Sequence, residues 1–359
     1  MNLDEFALVW LNQQGIGFLK AEKIFNKFDK IEDIFNQNKV KNAIFEFVGA
    51  EKLKESLLKL NINEEKERIE NELNFFGIDV ITFVSNGYPE KLKTISDPPL
   101  VLYFKGDISL LSKKSISIVG TRKPTEYGRI TCEKFVSELV SAGLVTVSGL
   151  AYGIDTVVAE STLSAGGKVI AVLGGGLDEI YPAQNKGLAK KIERSGLLLS
   201  EYKPKIRPEK YYFLERNRIV SALGLGTLII EAGEHSGTMA TARFALEQSR
   251  ELFAIPGNIN SPESFGTNAL IEEMPEIFTI SPDSIISKLG LKKKEEKTQN
   301  QQLSFEENQI LLAIESSGTD FDTICEKTKI STGELTSILI KMEMKGLLKS
   351  SSSNIYYKI

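Results

Sequence analysis

Between residues 116 and 258 one pattern recurs: a short apolar run, then glycine or a small polar residue at its carboxyl side. The runs are Ile116–Val119, Val145–Val147, Val169–Leu173, Leu197–Leu199, Leu228–Ile230 and Leu252–Ile255. Helical stretches stand between them, as over Thr125–Ala142 and on to about Ala165. Continuous apolar strands alternating with helices predict an α/β fold, a mostly parallel sheet covered on both faces. Asp79–Val84 and Leu100–Phe104 read as two earlier strands. In open parallel sheets ligands bind at the carboxyl edge. There the sequence places Gly120-Thr121-Arg122, Ser148-Gly149, Gly174-Gly175-Gly176, Ser236-Gly237-Thr238 and Pro256-Gly257-Asn258. Some of these glycines only close tight turns, and the others let a ligand approach the backbone.

The 359 residues, 42% hydrophobic and 26% charged, are enough for two or three globular domains. Residues 1–77 read as a helical unit. A Gly15-Ile16-Gly17 turn between two apolar-faced helices has two readings, a phosphate-facing helix–hairpin–helix or a plain packing turn. Residues 78–290 hold the sheet. Residues 291–304, charged and then polar without apolar periodicity, read as a linker. Residues 305–359 give three helices and a hairpin, the winged-helix pattern. The would-be recognition helix sets Glu334 and Glu343 against Lys341 and Lys345. That balance is weak for duplex binding, so a protein-contact or auxiliary role is at least as well supported.

A net charge of −4 argues against a protein that coats duplex by bulk charge and leaves room for a local basic pocket. Residues 203–218 provide one, with six basic side chains (Lys203, Lys205, Arg207, Lys210, Arg216, Arg218) around Tyr211, Tyr212 and Phe213. Cations for phosphates and ring faces for bases suit a single nucleic-acid strand; a solvated loop whose aromatics cap the core is the other reading. The two cysteines, Cys132 and Cys325, have no metal-ligand spacing. There is no phosphate-binding Gly-x-x-x-x-Gly-Lys-Ser/Thr loop, no Gly-x-Gly-x-x-Gly turn and no Gly-x-Ser-x-Gly elbow. The one histidine, His235, reads as a bystander. The sheet is therefore expected to bind and not to react, with no catalytic residue, metal or cofactor. The N-terminus lacks a secretory-signal pattern and no apolar run reaches membrane-spanning length, so the expectation is a cytoplasmic chain with no membrane partner.

From about residue 85 to 272 the motifs resemble, in order, those of the DNA-processing protein A (Smf) family. They include Ile118-Val119-Gly120-Thr121-Arg122, Ser148-Gly149-Leu150-Ala151 with Gly153-Ile154-Asp155, and Gly176-Leu177-Asp178 with Tyr181-Pro182. Further along they include Ser200-Glu201-Tyr202, Phe213, Arg216-Asn217-Arg218-Ile219, Glu231-Ala232, Ser236-Gly237-Thr238, Thr241-Ala242-Arg243 and Pro256-Gly257-Asn258. The resemblance implies an extended Rossmann-like sheet between a SAM or helix–hairpin–helix-like N-terminal domain and a C-terminal winged helix. It implies a homodimeric single-stranded DNA-binding protein that protects incoming strands in natural transformation and loads the RecA recombinase. The dimer interface is expected around Ile259–Ile286.

On this reading the strand-binding residues are Gly120, Thr121, Arg122, Lys123, Gly174, Gly175, Asn185, Lys186, Lys210, Phe213, Arg216, Asn217, Arg218, Ser236, Gly237 and Thr238. Arg122 and Arg218 are expected to fork onto phosphates, with Lys210 and Lys186 adding charge. Phe213 is expected to stack on a base, and the Ser236–Thr238 amides to hold a phosphate at a helix N-terminus. Tyr152 and Glu215 stand where the family commonly has basic residues, and each removes a positive charge near the pocket. One alternative remains: Glu231–Thr238 also resembles the Gly-Thr segment of phosphoribohydrolases of the lysine-decarboxylase-like fold, an enzyme acting on a nucleotide.

Overall fold

The computed structural model describes residues 1–291, 304–315, 318–345, 347–350 and 355–358. All but the end residues of the expected linker, and the Ser-rich tip of the C-terminal hairpin, lie outside the described residues. The chain divides into two units, Met1–Lys294 and Glu295–Ile359.

The first unit is built on one eight-stranded sheet: β1 (Asp79–Thr82), β2 (Val101–Gly106), β3 (Ser115–Gly120), β4 (Val145–Ser148), β5 (Val169–Leu173), β6 (Leu197–Ser200), β7 (Gly226–Ile230) and β8 (Glu251–Ala254). Their spatial order is β1-β2-β6-β5-β4-β3-β7-β8. From β6 to β8 every neighbour is parallel; β2 joins β6, and β1 joins β2, antiparallel. Every residue of β4, β5 and β7 is buried, because helices cover both faces of the parallel part. The strand order reverses between β3 and β7, and the crevice outside the carboxyl ends of such a pair is where open α/β sheets bind ligands.

The helices of residues 1–77 pack on the antiparallel edge. The first, Leu3–Gln13, buries six consecutive residues from Phe6 to Leu11 and is apolar all round, as a core helix is. Its side chains share one core with Leu100, Val101 and Tyr103 of β2 and its approach, and with Leu198 of β6. The Tyr103 hydroxyl donates to Asn12 Oδ1 (2.9 Å), and Lys203 Nζ donates to Gln13 O (2.8 Å). Gly15 takes a left-handed φ of 75° in the turn that follows, which buries Ile16.

In the second unit helices Phe305–Ala313, Phe321–Thr328 and Thr332–Met344 stand with a three-stranded sheet of Thr319–Asp320, Leu348–Ser350 and Ile355–Lys358. Ile310, Ile324, Leu335, Leu339, Met342 and Leu348 form its core. Glu343 on the third helix accepts from the Ser350 amide (2.9 Å), and Lys345 just beyond it bonds Glu307. Two of the four charges that define the expected recognition helix are thus engaged within the unit.

Candidate nucleic-acid interface

A cleft of ≈ 980 Å³ opens at the carboxyl edge between β3 and β7. Its floor is the loop after β3. A Cβ on Gly120 would lie 2.0 Å from Ile230 O, so only glycine lets the two strand ends come this close. The loop is pinned from the β7 side. The Thr121 amide donates to Glu231 O (2.8 Å), and the Glu231 carboxylate accepts from the Thr125 amide (2.9 Å) and hydroxyl. Thr121 Oγ1 in turn donates to the Glu263 carboxylate. The loop's remaining side chains, Arg122 and Lys123, are exposed.

Helix Gly237–Glu247 starts at the opposite wall. Ser236 precedes it without capping it; its Oγ is buried and has no hydrogen-bond partner among the described residues. Thr238 Oγ1 donates to Gly120 O (3.0 Å) and joins helix start to floor. A helix N-terminus with an uncommitted hydroxyl and uncapped amides is suited to an anion.

The third wall is helix Lys210–Leu223, which puts Lys210, Phe213, Leu214, Arg216 and Asn217 on the cleft. Phe213 is half-buried, with the Arg122 guanidinium 5.4 Å from its ring centroid, within cation–π range. Asn217 Nδ2 donates to Gly237 O (3.2 Å) and ties this helix to its neighbour.

Arg216 is 4% exposed. Its Nη1 donates to Gly149 O (2.7 Å) and to Val172 O, stitching the ends of β4 and β5. Beside it the Asp155 carboxylate accepts from the amides of Gly149 (3.1 Å) and Ala151 (3.3 Å). Burial pushes the Arg216 guanidinium down to about 10, with Asp155 opposing; burial likewise pushes the Asp155 carboxyl up, with Arg216 opposing. Near neutral pH Arg216 is charged, and it opposes the rise of the Asp155 carboxyl under the cleft. A Cβ on Gly149 would lie 2.4 Å from Arg216 Nη2, which fixes glycine there.

Of the sequence-predicted residues, the cleft brings together Gly120, Thr121, Arg122, Lys123, Lys210, Phe213, Arg216, Asn217, Ser236, Gly237 and Thr238. Gly174 and Gly175 line a smaller recess that shares Phe213, and a Cβ on Gly174 would meet the Phe213 ring at 2.9 Å. Asn185 lines neither: it is buried and donates to Leu150 O (3.0 Å) and Thr156 Oγ1 (2.9 Å). Lys186 is exposed at the start of helix Lys186–Ser195, also outside both.

Arg218 departs furthest from its expected phosphate contact. It is 9% exposed, with Nη2 donating to Glu201 (2.8 Å) and Nε to Asp97 (3.4 Å). The reason is helical geometry: two residues on from Arg216 is about 200° round the helix, so the two guanidinium groups leave it on opposite sides. Lys203 and Lys205 are likewise spent on the N-terminal helices, Lys205 with Glu72 at 2.6 Å. Of residues 203–218, Lys210 brings an uncommitted positive charge to the cleft, and Arg216 lines it with its guanidinium spent on buried carbonyls.

The structure adds Tyr181, Glu234, His235, Arg243 and Glu263 to the lining. Arg243 has a sequence signal, standing six residues into the helix that Gly237 opens. Glu263 has none. Among the described residues Arg122, Lys123, Lys210 and Arg243 make no ion pair, so the cleft presents uncommitted positive charge beside Glu234, Glu263 and the buried Asp155.

Residues 79–290 match the family described as DNA recombination-mediator protein A, and residues 294–353 match the DprA winged helix domain. The chain is 40% identical over 236 residues to the DNA processing protein DprA of Bacillus subtilis, covering 65% of this chain and 80% of the relative. It is 34% identical over 272 residues to the protein Smf of Escherichia coli, 73% and 72% of the two chains. The solved structure of DNA processing protein A from Streptococcus pneumoniae superposes with a TM-score of 0.68 at 31% identity, over 80% of this chain and 98% of that one. A structure of DNA processing protein A from Helicobacter pylori, described as giving insight into its single-stranded DNA binding mode, gives 0.54 at 36% identity, over 59% and 95%. With the family profile spanning the whole sheet, its edge loops and the cleft between them, the chain belongs to the DNA recombination-mediator protein A family.

Proposed function

We propose that the cleft binds single-stranded DNA, and that the protein acts as a non-catalytic mediator that protects incoming strands and loads RecA on them in the cytoplasm. One observation carries the binding: the unpaired Arg122 guanidinium lies against the half-buried Phe213 ring, across the cleft from the uncapped start of helix Gly237–Glu247. Phosphate and base have adjacent partners in that arrangement. A duplex keeps its bases stacked inside and offers no ring to Phe213. The Helicobacter pylori relative, described as a single-strand binder, supports the same reading. His235 is exposed with no hydrogen-bond partner among the described residues, so it is not oriented as a general base would be.

A salt titration on oligonucleotides tests it. Arg122→Ala is expected to weaken binding to all sequences and to lower the salt slope by about 0.7 per lost phosphate contact. Phe213→Ala is expected to cost about 1–3 kcal/mol at nearly unchanged slope. Both variants binding like the parent while folded, with nucleotide turnover by the parent, would instead support the phosphoribohydrolase-like reading.

The same proposal includes a homodimer through the late part of the sheet unit, where Ile259 (80% exposed), Phe278 (48%) and Ile280 (67%) open apolar surface to solvent. Two clefts on one assembly let one strand engage both, with affinity gained from effective concentration. Light scattering is expected to report a dimer for the parent and a monomer for Ile259→Lys/Ile280→Lys. A parent that stays monomeric at micromolar concentration overturns this part.

A further inference from the structure

Phe213 is one end of a row of rings. Its centroid lies 5.6 Å from that of Tyr181, tilted by 41°, and Tyr181 lies 6.4 Å from Tyr152 at 77°. Phe213 comes from helix Lys210–Leu223, Tyr181 from the stretch that leads into helix Lys186–Ser195, and Tyr152 from the loop after β4. Three separate segments of the carboxyl edge thus deliver one aromatic side chain each to a row on the β4–β5 side of the cleft.

These rings are not filling a core. Tyr181 keeps 47% and Tyr152 37% of its surface open to solvent, although each touches a neighbouring ring. Each has a contact besides its neighbouring ring. The Tyr152 hydroxyl donates to Gln184 Oε1 (2.7 Å), and Tyr181 borders both the cleft and the recess behind Phe213. Exposed aromatics in a row cost solvation without adding to the core, so their placement calls for a ligand with successive flat apolar faces. At the Phe213 end the Arg122 guanidinium lies 5.4 Å from the ring centroid.

We propose that Tyr181 and Tyr152 continue the base-stacking platform beyond Phe213 and take further bases of the same single strand. The inference rests on the single-strand reading above and deepens it. Each of these two rings adds a base contact and no phosphate contact. Binding there is tolerant of sequence, because every base has a π face, and nearly independent of salt.

The test uses the full chain and two oligonucleotides of equal length, oligo-dT and a strand of the same length made of abasic units. Tyr181→Leu and Tyr152→Leu are each expected to weaken oligo-dT binding about tenfold at unchanged salt slope. They should leave binding to the abasic strand unchanged, and Tyr181→Phe and Tyr152→Phe should bind like the parent. A purely structural role would weaken both strands alike. As a measurement that needs no substitution, 5-iodouracil placed along the oligonucleotide should crosslink the parent protein at Tyr181 or Tyr152. Leu variants that bind oligo-dT like the parent, or crosslinks that fall only at Phe213, overturn the row while single-strand binding stands. A parent that binds neither strand overturns the reading beneath it.

Discussion

Arg216→Ala is expected to destabilise the fold by about 3–5 kcal/mol at neutral pH, the cost of removing one charge from a buried, compensated set. The guanidinium satisfies carbonyls at the ends of two adjacent strands, Gly149 O and Val172 O. Truncation leaves both buried acceptors without donors and leaves Asp155, 7% exposed, without its compensating cation. The deficit has a pH signature. Burial holds the Asp155 carboxyl above its ordinary value in the folded state, and Arg216 opposes that rise. A raised carboxyl binds more protons folded than unfolded, so stability falls as pH rises through the window from the ordinary to the raised value. Without Arg216 the folded value climbs further and the window extends upward. The loss in Arg216→Ala is therefore largest above that window and shrinks on acidification, and Asp155→Asn in the same chain should recover part of it at neutral pH. Urea unfolding at a series of pH values measures all three proteins. A loss below about 1 kcal/mol, or one that does not change with pH, would mean that the pair does not hold the edge together.

Arg218→Ala is expected to cost a similar amount, about 3–5 kcal/mol, for a reason unconnected with the ligand. Its partners Glu201 and Asp97 come from the segment after β6 and from the loop before β2, so the side chain clamps the antiparallel edge to helix Lys210–Leu223. Burial raises the Glu201 carboxyl and Arg218 pulls it back; burial lowers Arg218, and Glu201 more than restores it. Removing the arginine strands a buried carboxylate, and Arg218→Met/Glu201→Gln, which removes both charges, should regain most of the stability. The contrast with Arg122→Ala is the diagnostic: that exposed side chain should change stability by less than about 0.5 kcal/mol. Below their melting temperatures, Arg218 variants should keep the parent's salt slope in strand binding. A slope lowered by Arg218→Ala would place a phosphate on this side chain and contradict the geometry.

The parallel sheet was legible because its strands are buried on both faces and so read as unbroken apolar runs; β4, β5 and β7 stand where those runs stand. The loops after β3 and β7 were legible because close approach demands glycine and small polar residues, as at Gly120. Helix Lys210–Leu223 was harder to read. Its inward positions are 216, 219, 220 and 223, and the apolar period emerges only when a buried arginine is counted as core. That also explains why a run of basic residues overstated the site: a charge in sequence carries no sign of which way it faces. Glu201 and Asp155 select two of these arginines for the interior, and both lie far from them along the chain. Glu263 reaches the cleft from beyond β8, and nothing in its local sequence marks it.

The first 77 residues and the sheet edge depend on each other for burial. Phe6, Trp10, Leu100, Val101, Tyr103 and Leu198 belong to one continuous apolar interior, crossed by hydrogen bonds from Tyr103 to Asn12 and from Lys203 to Gln13. A gene rearrangement that moved the helical segment elsewhere would carry away half of a core and leave the other half open to water. Taking residues 1–77 off this chain would therefore open the β2 side of that core, at Leu100, Val101 and Tyr103, to water.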